Sequence, residues 1–261
     1  PMAPQFERGQ PVSPFFEGWY QNPDGTYTLA FGYFNRNSEE DLEIPIGPDN
    51  FIEPAVFDGG QPTSFPALSE YSIAGREWGV FSVVVPAEYA SPGNDVVWTI
   101  KSKGATHSVP GRVGNPAYQL QALDQPMGRG SFPPRLRFDP SGPEAIGLKG
   151  VESPRVVRAS VGTPVRLEAW AADNFAPGMR EGVPVTVTWL EHQGPVNGDV
   201  TFDPAELRAD ANGSMTATSA SFTAPGEYVV RVRVDNWSAG DSDDQRTCCW
   251  TNGFVRVVVD R

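Results

Sequence analysis

The stretch APGEYVVRVRVDN, residues 224–236, decides the fold. After the turn at Pro225-Gly226, Tyr228, Val230, Val232 and Val234 alternate with Val229, Arg231, Arg233 and Asp235. A two-residue period belongs to a strand with one buried face, whereas a helix would repeat its apolar positions every three or four residues. The pattern recurs on both sides. PVRLEAWAADN (164–174) places Val165, Leu167 and Ala169 inward, VPVTVTWLEHQG (183–194) does the same with Val185, Val187 and Trp189, and FVRVVVD (254–260) closes the chain. DVTFDP (199–204) and SMTATSASF (214–222) supply two more strands.

The first half reads alike. EGWYQ (17–21), the turn NPDG and TYTLAFGYFN (26–35) form a hairpin with Tyr27, Leu29, Phe31 and Tyr33 on one face. LEIPIGPDN (42–50) is a short edge strand, since Pro45 lacks an N–H. WGVFSVVVP (78–86) and DVVWTIKSK (95–103) give Phe81, Val83, Val85 and Val96, Trp98, Ile100 as inward sets, and AYQLQAL (117–123) a last short strand. The prediction is an all-β protein of two tandem β-sandwich domains. A proline-rich extended arm occupies 1–14, an N-terminal sandwich 15–125, a Pro/Gly-rich linker 126–150, part of which should pack against one domain through Phe132, Leu136, Phe138, Ile146 and Leu148, and an immunoglobulin-like sandwich 151–261.

The 261 residues suffice for two cores, at about 100–150 residues each. The formal charge is −12, with fifteen acids against six bases in residues 1–125 and two against four in 126–150. An acidic surface repels phosphate and anionic lipid, which argues against nucleic acid and membrane partners. No apolar run reaches the roughly 20 residues that span a bilayer. The chain opens on Pro1 and not on methionine, as an exported chain does after its signal peptide is removed, so an extracellular, periplasmic or cell-surface location is expected.

The run from RLEAWAADN through VTVTW to FTAPGEYVVRVRVDN resembles the polycystic-kidney-disease (PKD) and cadherin-like group of immunoglobulin-fold modules. The resemblance rests on the Asp after the second strand, the Trp of the third, and PGEY ahead of a V-x-V-x-V strand. The first half, with GWYQNPDGTYTLAFGYFNRN and IPIGPDN, together with the ending CCWTNGFVRV, is similar to exported bacterial two-domain proteins of unassigned function. Where antibody domains carry paired cysteines, this chain has apolar residues near Leu167 and Val230.

Catalytic patterns are sparse. His107 and His192 are the only histidines, too few for a histidine-built zinc site, and no G-x-S-x-G is present. A hydrolase needs only two suitably spaced carboxylates, which 32 acids do not exclude. In an immunoglobulin-like sandwich, the loop after the second strand and the loop between the last two share one end. Asp173 and Asn174 then approach Asp235 and Asn236, with Asp241, Asp243 and Asp244 nearby in the long loop. Such an oxygen set fits calcium, which takes six to eight oxygen ligands; the competing reading is that Asp and Asn simply favour loops. The resemblance points to similar calcium positions.

Cys248 and Cys249 are the only cysteines. A bridge between them, bridges to another chain, free thiols and soft-metal thiolates are all open, with free thiols disfavoured outside the cell. Trp237 and Trp250 flank the same loop and are candidate contacts for a partner or a glycan. Asn212-Gly213-Ser214 and Asn236-Trp237-Ser238 match the glycosylation pattern. The expected function is a secreted, non-enzymatic structural or adhesive protein that associates with itself or other cell-surface proteins. The alternatives are a carbohydrate-binding module and a polysaccharide-acting hydrolase.

Overall fold

The computed structural model describes residues 6–67, 75–120, 123–126, 130–240 and 249–261. The chain divides into two compact units, Pro1–Leu120 and Gln121–Arg261. It is all-β: the helical segments among the described residues, such as Ala87–Ala90, are single 3-10 turns.

The first unit contains β1 (Ser13–Gln21), β2 (Tyr27–Phe34), β3 (Leu42–Glu43), β4 (Asn50–Glu53), β5 (Ser64–Phe65), β6 (Arg76–Val85), β7 (Val96–Ser102) and β8 (Ala105–Gly111). β1-β2-β6 and β4-β7-β8 form two antiparallel sheets, and β3 pairs with β5 in a short ribbon. The inward sets read from alternation are buried: Leu29, Phe31 and Tyr33 on β2, Phe81, Val83 and Val85 on β6, and Val96, Trp98 and Ile100 on β7. Trp98 is the centre of this core. Phe81 meets it edge-on at 4.9 Å, and Phe65 stacks at 6.4 Å. Its indole N–H donates to Asn50 Oδ1 at 2.9 Å, while the Asn50 amide donates to the carbonyls of Ile44 and Pro62. One buried asparagine thus fixes the ring and two passing loops.

Two local expectations change here. LEIPIGPDN keeps only Leu42–Glu43 as strand, because Pro45 cannot donate and the chain turns at Gly47, whose N–H bonds Asn50 O. AYQLQAL forms no strand among its described residues: Pro116–Tyr118 make a 3-10 turn, with Pro116 at the first position and the Asn115 side chain accepting from Ala117 N. The arm, from Phe6 onward, lies on its own unit. Phe6 N donates to Arg36 O, Gly9 N to Glu40 Oε2, and Val12 N to Ser102 Oγ, and Val12 is fully buried.

The second unit contains β9 (Arg135–Arg137), β10 (Val151–Glu152), β11 (Val157–Ser160), β12 (Val165–Ala172), β13 (Val185–Gln193), β14 (Val200–Asp203), β15 (Glu206–Ala209), β16 (Ser214–Phe222), β17 (Gly226–Asp235) and β18 (Trp250–Asp260). One sheet runs β14-β16-β12-β9; the other runs β15-β13-β17-β18, with β10 and β11 parallel to β18. This is the strand order of an immunoglobulin-like sandwich. The unbroken β17–β18 register, from Gly226↔Val259 to Asp235↔Trp250, is its spine. Trp189 on β13 is buried among Leu167, Val230 and Val232, which fill the position a disulfide takes in antibody domains. Tyr228 donates its hydroxyl to Ala224 O at 2.8 Å, the tyrosine corner of this fold.

Residues 126–150, which the sequence marks as a linker, supply β9 to the first of these sheets. Ala171↔Leu136 pairing carries Leu136 into the core, fully buried, over Gly253. A Cβ at Gly253 would meet Leu136 Cδ2 at 2.7 Å, so glycine is required by close approach. Truncating Leu136 to Ala is expected to cost about 2–5 kcal/mol through the cavity it leaves. Denaturant unfolding measures it; a loss under about 1 kcal/mol would mean that the segment is only draped on the unit.

Candidate functional site

The end of the second unit brings together the residues that the sequence places on one rim. β12 delivers Asp173 immediately after its last residue, and β17 delivers Asp235 and Asn236 at its close. Asn236 Nδ2 donates to Asp173 Oδ1 at 3.0 Å. What surrounds Asp173, however, is a set of donors. Arg180 grips both carboxylate oxygens, Nη1 to Oδ2 at 2.7 Å and Nη2 to Oδ1 at 2.8 Å. Val183 N donates to Oδ2 at 2.8 Å, and Asn174 N to Oδ1 at 2.8 Å. Arg180 also reaches Ser131 Oγ and Glu181 O, and the Asn236 amide reaches Phe132 O. Phe132 N donates to Asn174 O, and Asn174 Nδ2 to Pro133 O.

Asp173 is wholly buried, and the Arg180 side chain is about 10% exposed. Burial alone would raise the carboxyl's pKa; the Arg180 fork, the Asn236 amide and the Val183 N–H outweigh it and hold the pKa below the ordinary value. A cation at this carboxylate would have to displace a bidentate guanidinium. Asn174 and Asn236 are likewise engaged by their amides in fixed bonds. Asp241, Asp243 and Asp244 lie outside the described residues, as does Cys248. Among the described residues no group of three or more His, Cys, Asp or Glu side chains could hold a metal.

Asp235 behaves differently. It is 3% exposed; burial raises its pKa to about 6, against the pull of Arg233, whose Nε lies 4.0 Å from Oδ2. Arg233 also covers the Trp237 ring at 4.8 Å, and Trp237 meets Trp250 edge-on at 6.0 Å. Because β18 begins at Trp250, paired with Asp235, its ring is turned into the unit and is 1% exposed. Trp250, named in the sequence as a contact for a sugar or a partner, thus presents little surface, and Trp237 is half-buried against it. Asn236 is closed to glycosylation by the same burial, while Asn212 stands exposed in the turn before β16. Cys249 is fully buried and disulfide-bonded, and the chain's one other cysteine is Cys248.

Three arrangements escape sequence reasoning. Arg180 sits in a loop without periodicity, so nothing marks it as the partner of Asp173. In the first unit, a bulge between Phe16 and Gly18 leaves Glu17 as the extra residue of β1. Its Oε2 meets Arg76 Nη2 at 2.5 Å, and the guanidinium is stacked between Phe15 at 3.5 Å and Trp78 at 3.0 Å. Burial raises the Glu17 pKa to about 7 despite Arg76. The third is an open groove of about 550 Å³ along residues 40–49 and 101–103.

No protein-family model matches the chain, and no curated protein does. Solved structures that align with it include a D00-D0 domain fragment of intimin, at TM-score 0.29 and 12% identity, covering 95% of this chain and 99% of that one. Domains 4 and 5 of the S-layer protein SbsC align at TM-score 0.24 and 12% identity, covering 97% and 98%. A C. elegans MSP family member aligns at TM-score 0.27 and 10% identity, covering 41% and 94%. At such scores these likenesses carry no argument about function.

The charge geometry makes two predictions. Removing one partner of a buried ion pair typically costs about 3–5 kcal/mol, so Arg180→Ala should lose that much stability by denaturant unfolding; a loss within about 0.5 kcal/mol would contradict the clamp. The sign for Asp235 is opposite to that for Asp173. A carboxyl whose folded pKa is raised contributes stability that is fully present below its unfolded pKa, near 4, and lost as pH rises through about 6. Asp235→Asn should flatten the stability profile between those pH values, and an unchanged slope would show that Asp235 is not protonated there.

Proposed function

We propose that the chain is a non-enzymatic structural and adhesive β-sandwich protein of the cell exterior, which contacts other proteins or further copies of itself. The observation that carries this reading is the use made of its buried charges. Asp173, the acid best placed for chemistry or cation binding, has its carboxylate filled by five donors and joins the strand ends and the segment 131–133. Rigid sandwich ends of this kind hold loops in fixed positions, which is what a load-bearing or partner-presenting module requires.

The bonded state of Cys249 supports an oxidising compartment, and a bridge to Cys248, which lies outside the described residues, is the pairing we infer. The strand order and tyrosine corner of the second unit are those of immunoglobulin-like sandwiches in general, and its place in the PKD and cadherin-like group rests on the sequence resemblance alone. A glycan-binding role is weakened by the burial of Trp250, and a hydrolytic role, among the described residues, by the closure of Asp173 under Arg180 and the burial of Asp235.

Self-association is the most accessible part of this reading. Because residues from Phe6 onward are bonded to their own unit, association should survive deletion of residues 1–5 and depend on concentration alone. Sedimentation velocity over a wide concentration range, with parallel adsorption to intact cell surfaces, tests it. A chain that stays monomeric, adheres to nothing and turns over a polysaccharide would overturn the proposal.

A further inference from the structure

The turn between β15 and β16 carries an asparagine that the fold does not explain. Asp210, Ala211, Asn212 and Gly213 form it: Gly213 N donates to Asp210 O at 2.9 Å, and Gly213 takes a φ of +102°. Asp at the first position and Gly at the fourth are the residues a type I turn asks for, whereas its central positions accept most side chains. Asn212 holds the third position, where it is exposed and supplies no positive φ. Among the described residues its side-chain amide makes no hydrogen bond. The turn is held from behind: Asp173 N donates to Ala211 O at 3.0 Å, and a Cβ at Gly213 would lie 3.2 Å from Ala172 Cβ. Ser214 Oγ accepts from Asp210 N at 3.0 Å, so its hydroxyl keeps its own proton to donate. Asn212 and Ser214 are the amide and the hydroxyl of an N-x-S acceptor pattern, which belongs in a surface loop of an exported chain.

The same pattern at Asn236-Trp237-Ser238 is an internal comparison. Asn236 is fully buried, its amide donates to Phe132 O and Asp173 Oδ1, and Ser238 Oγ donates to Pro184 O. Reaction at that amide would require the end of the unit to open. Asp210 stands two residues ahead of Asn212, the place where the stricter oligosaccharyltransferases require an acid, while Val234 holds that place ahead of Asn236. Burial and sequence thus select the same asparagine.

We propose that Asn212 is the acceptor of an N-linked glycan and that Asn236 is not. In the transfer, Asn212 Nδ2 attacks C1 of the first sugar of a lipid pyrophosphate-linked oligosaccharide. The new N–C1 bond replaces the C1–O bond, the lipid pyrophosphate leaves, and the amide proton passes to a base of the transferase. Because Ala211 is bonded to Asp173, the glycan would stand at the end of the unit that holds the clamp, a bulky hydrophilic cover over that rim. The proposal takes from the reading above only the exterior location, and the acceptor assay does not depend on it, so either can fail while the other stands.

The test incubates the folded full chain with a lipid-linked oligosaccharide and, in separate arms, a transferase that reads Asn-x-Ser/Thr alone and one that also requires the preceding acid. Intact mass should rise by one glycan in both arms, and peptide mapping should place it on Asn212. Asn212→Gln and Ser214→Ala should abolish the gain, Ser214→Thr should keep it, and Ser238→Ala should leave it unchanged. Asp210→Asn should abolish it only in the second arm. Circular dichroism confirms that each variant is folded. Synthetic peptides of residues 208–216 and 232–240 should both be modified in the first arm, which shows that folding closes Asn236 and that the transferase is active. A 208–216 peptide that is glycosylated while the folded chain is not would overturn the proposal, as would a glycan that persists in Asn212→Gln or maps to Asn236 of the folded chain.

Discussion

The second unit depends on a single buried ion pair placed where four stretches of chain meet. Arg180 and Asp173 are seven residues apart in one loop, but the carboxylate between them also receives Asn236 from the far sheet and Val183 from the start of the next strand. Two charges taken out of water are tolerable only when every lone pair and proton finds a partner. Here the guanidinium also donates from Nε to Ser131 Oγ and from Nη1 to Glu181 O. The cost of burial is thereby converted into position. Strand β12, strand β17 and the chain entering β9 share one fixed end.

That constraint separates what the sequence reveals from what it conceals. Strands with one buried face are legible because alternation is a local property: Tyr228 to Val234, Val185 to Trp189 and Phe81 to Val85 all fall where the period places them. The meeting of Asp173 with Asn236 is legible one level up, since strand order dictates which loops share an end. The chemistry of the meeting is not. Whether an aspartate faces a metal ion or a guanidinium is decided by one side chain, Arg180, in the aperiodic loop FAPGMREGVP (175–184). β9 is half legible for a related reason: the apolar Leu136 marks the segment as packing against a domain, but three residues between prolines do not say which strand they join.

The first unit uses the same devices differently. Asn50 holds Trp98 and two loop carbonyls by neutral hydrogen bonds, while Glu17 and Arg76 form a charged pair roofed by Phe15 and Trp78. Buried polar groups of this kind act as fasteners between neighbouring segments of each unit.

The central claim is that Asp173 is an anion held by an arginine. A carbon-detected NMR titration of the Asp173 carboxyl, with and without calcium, tests it most directly. The account predicts a midpoint below that of an ordinary aspartate, about 3.9, indifferent to calcium. A midpoint above that value, or a carboxyl resonance that moves when calcium is added at neutral pH, would contradict it.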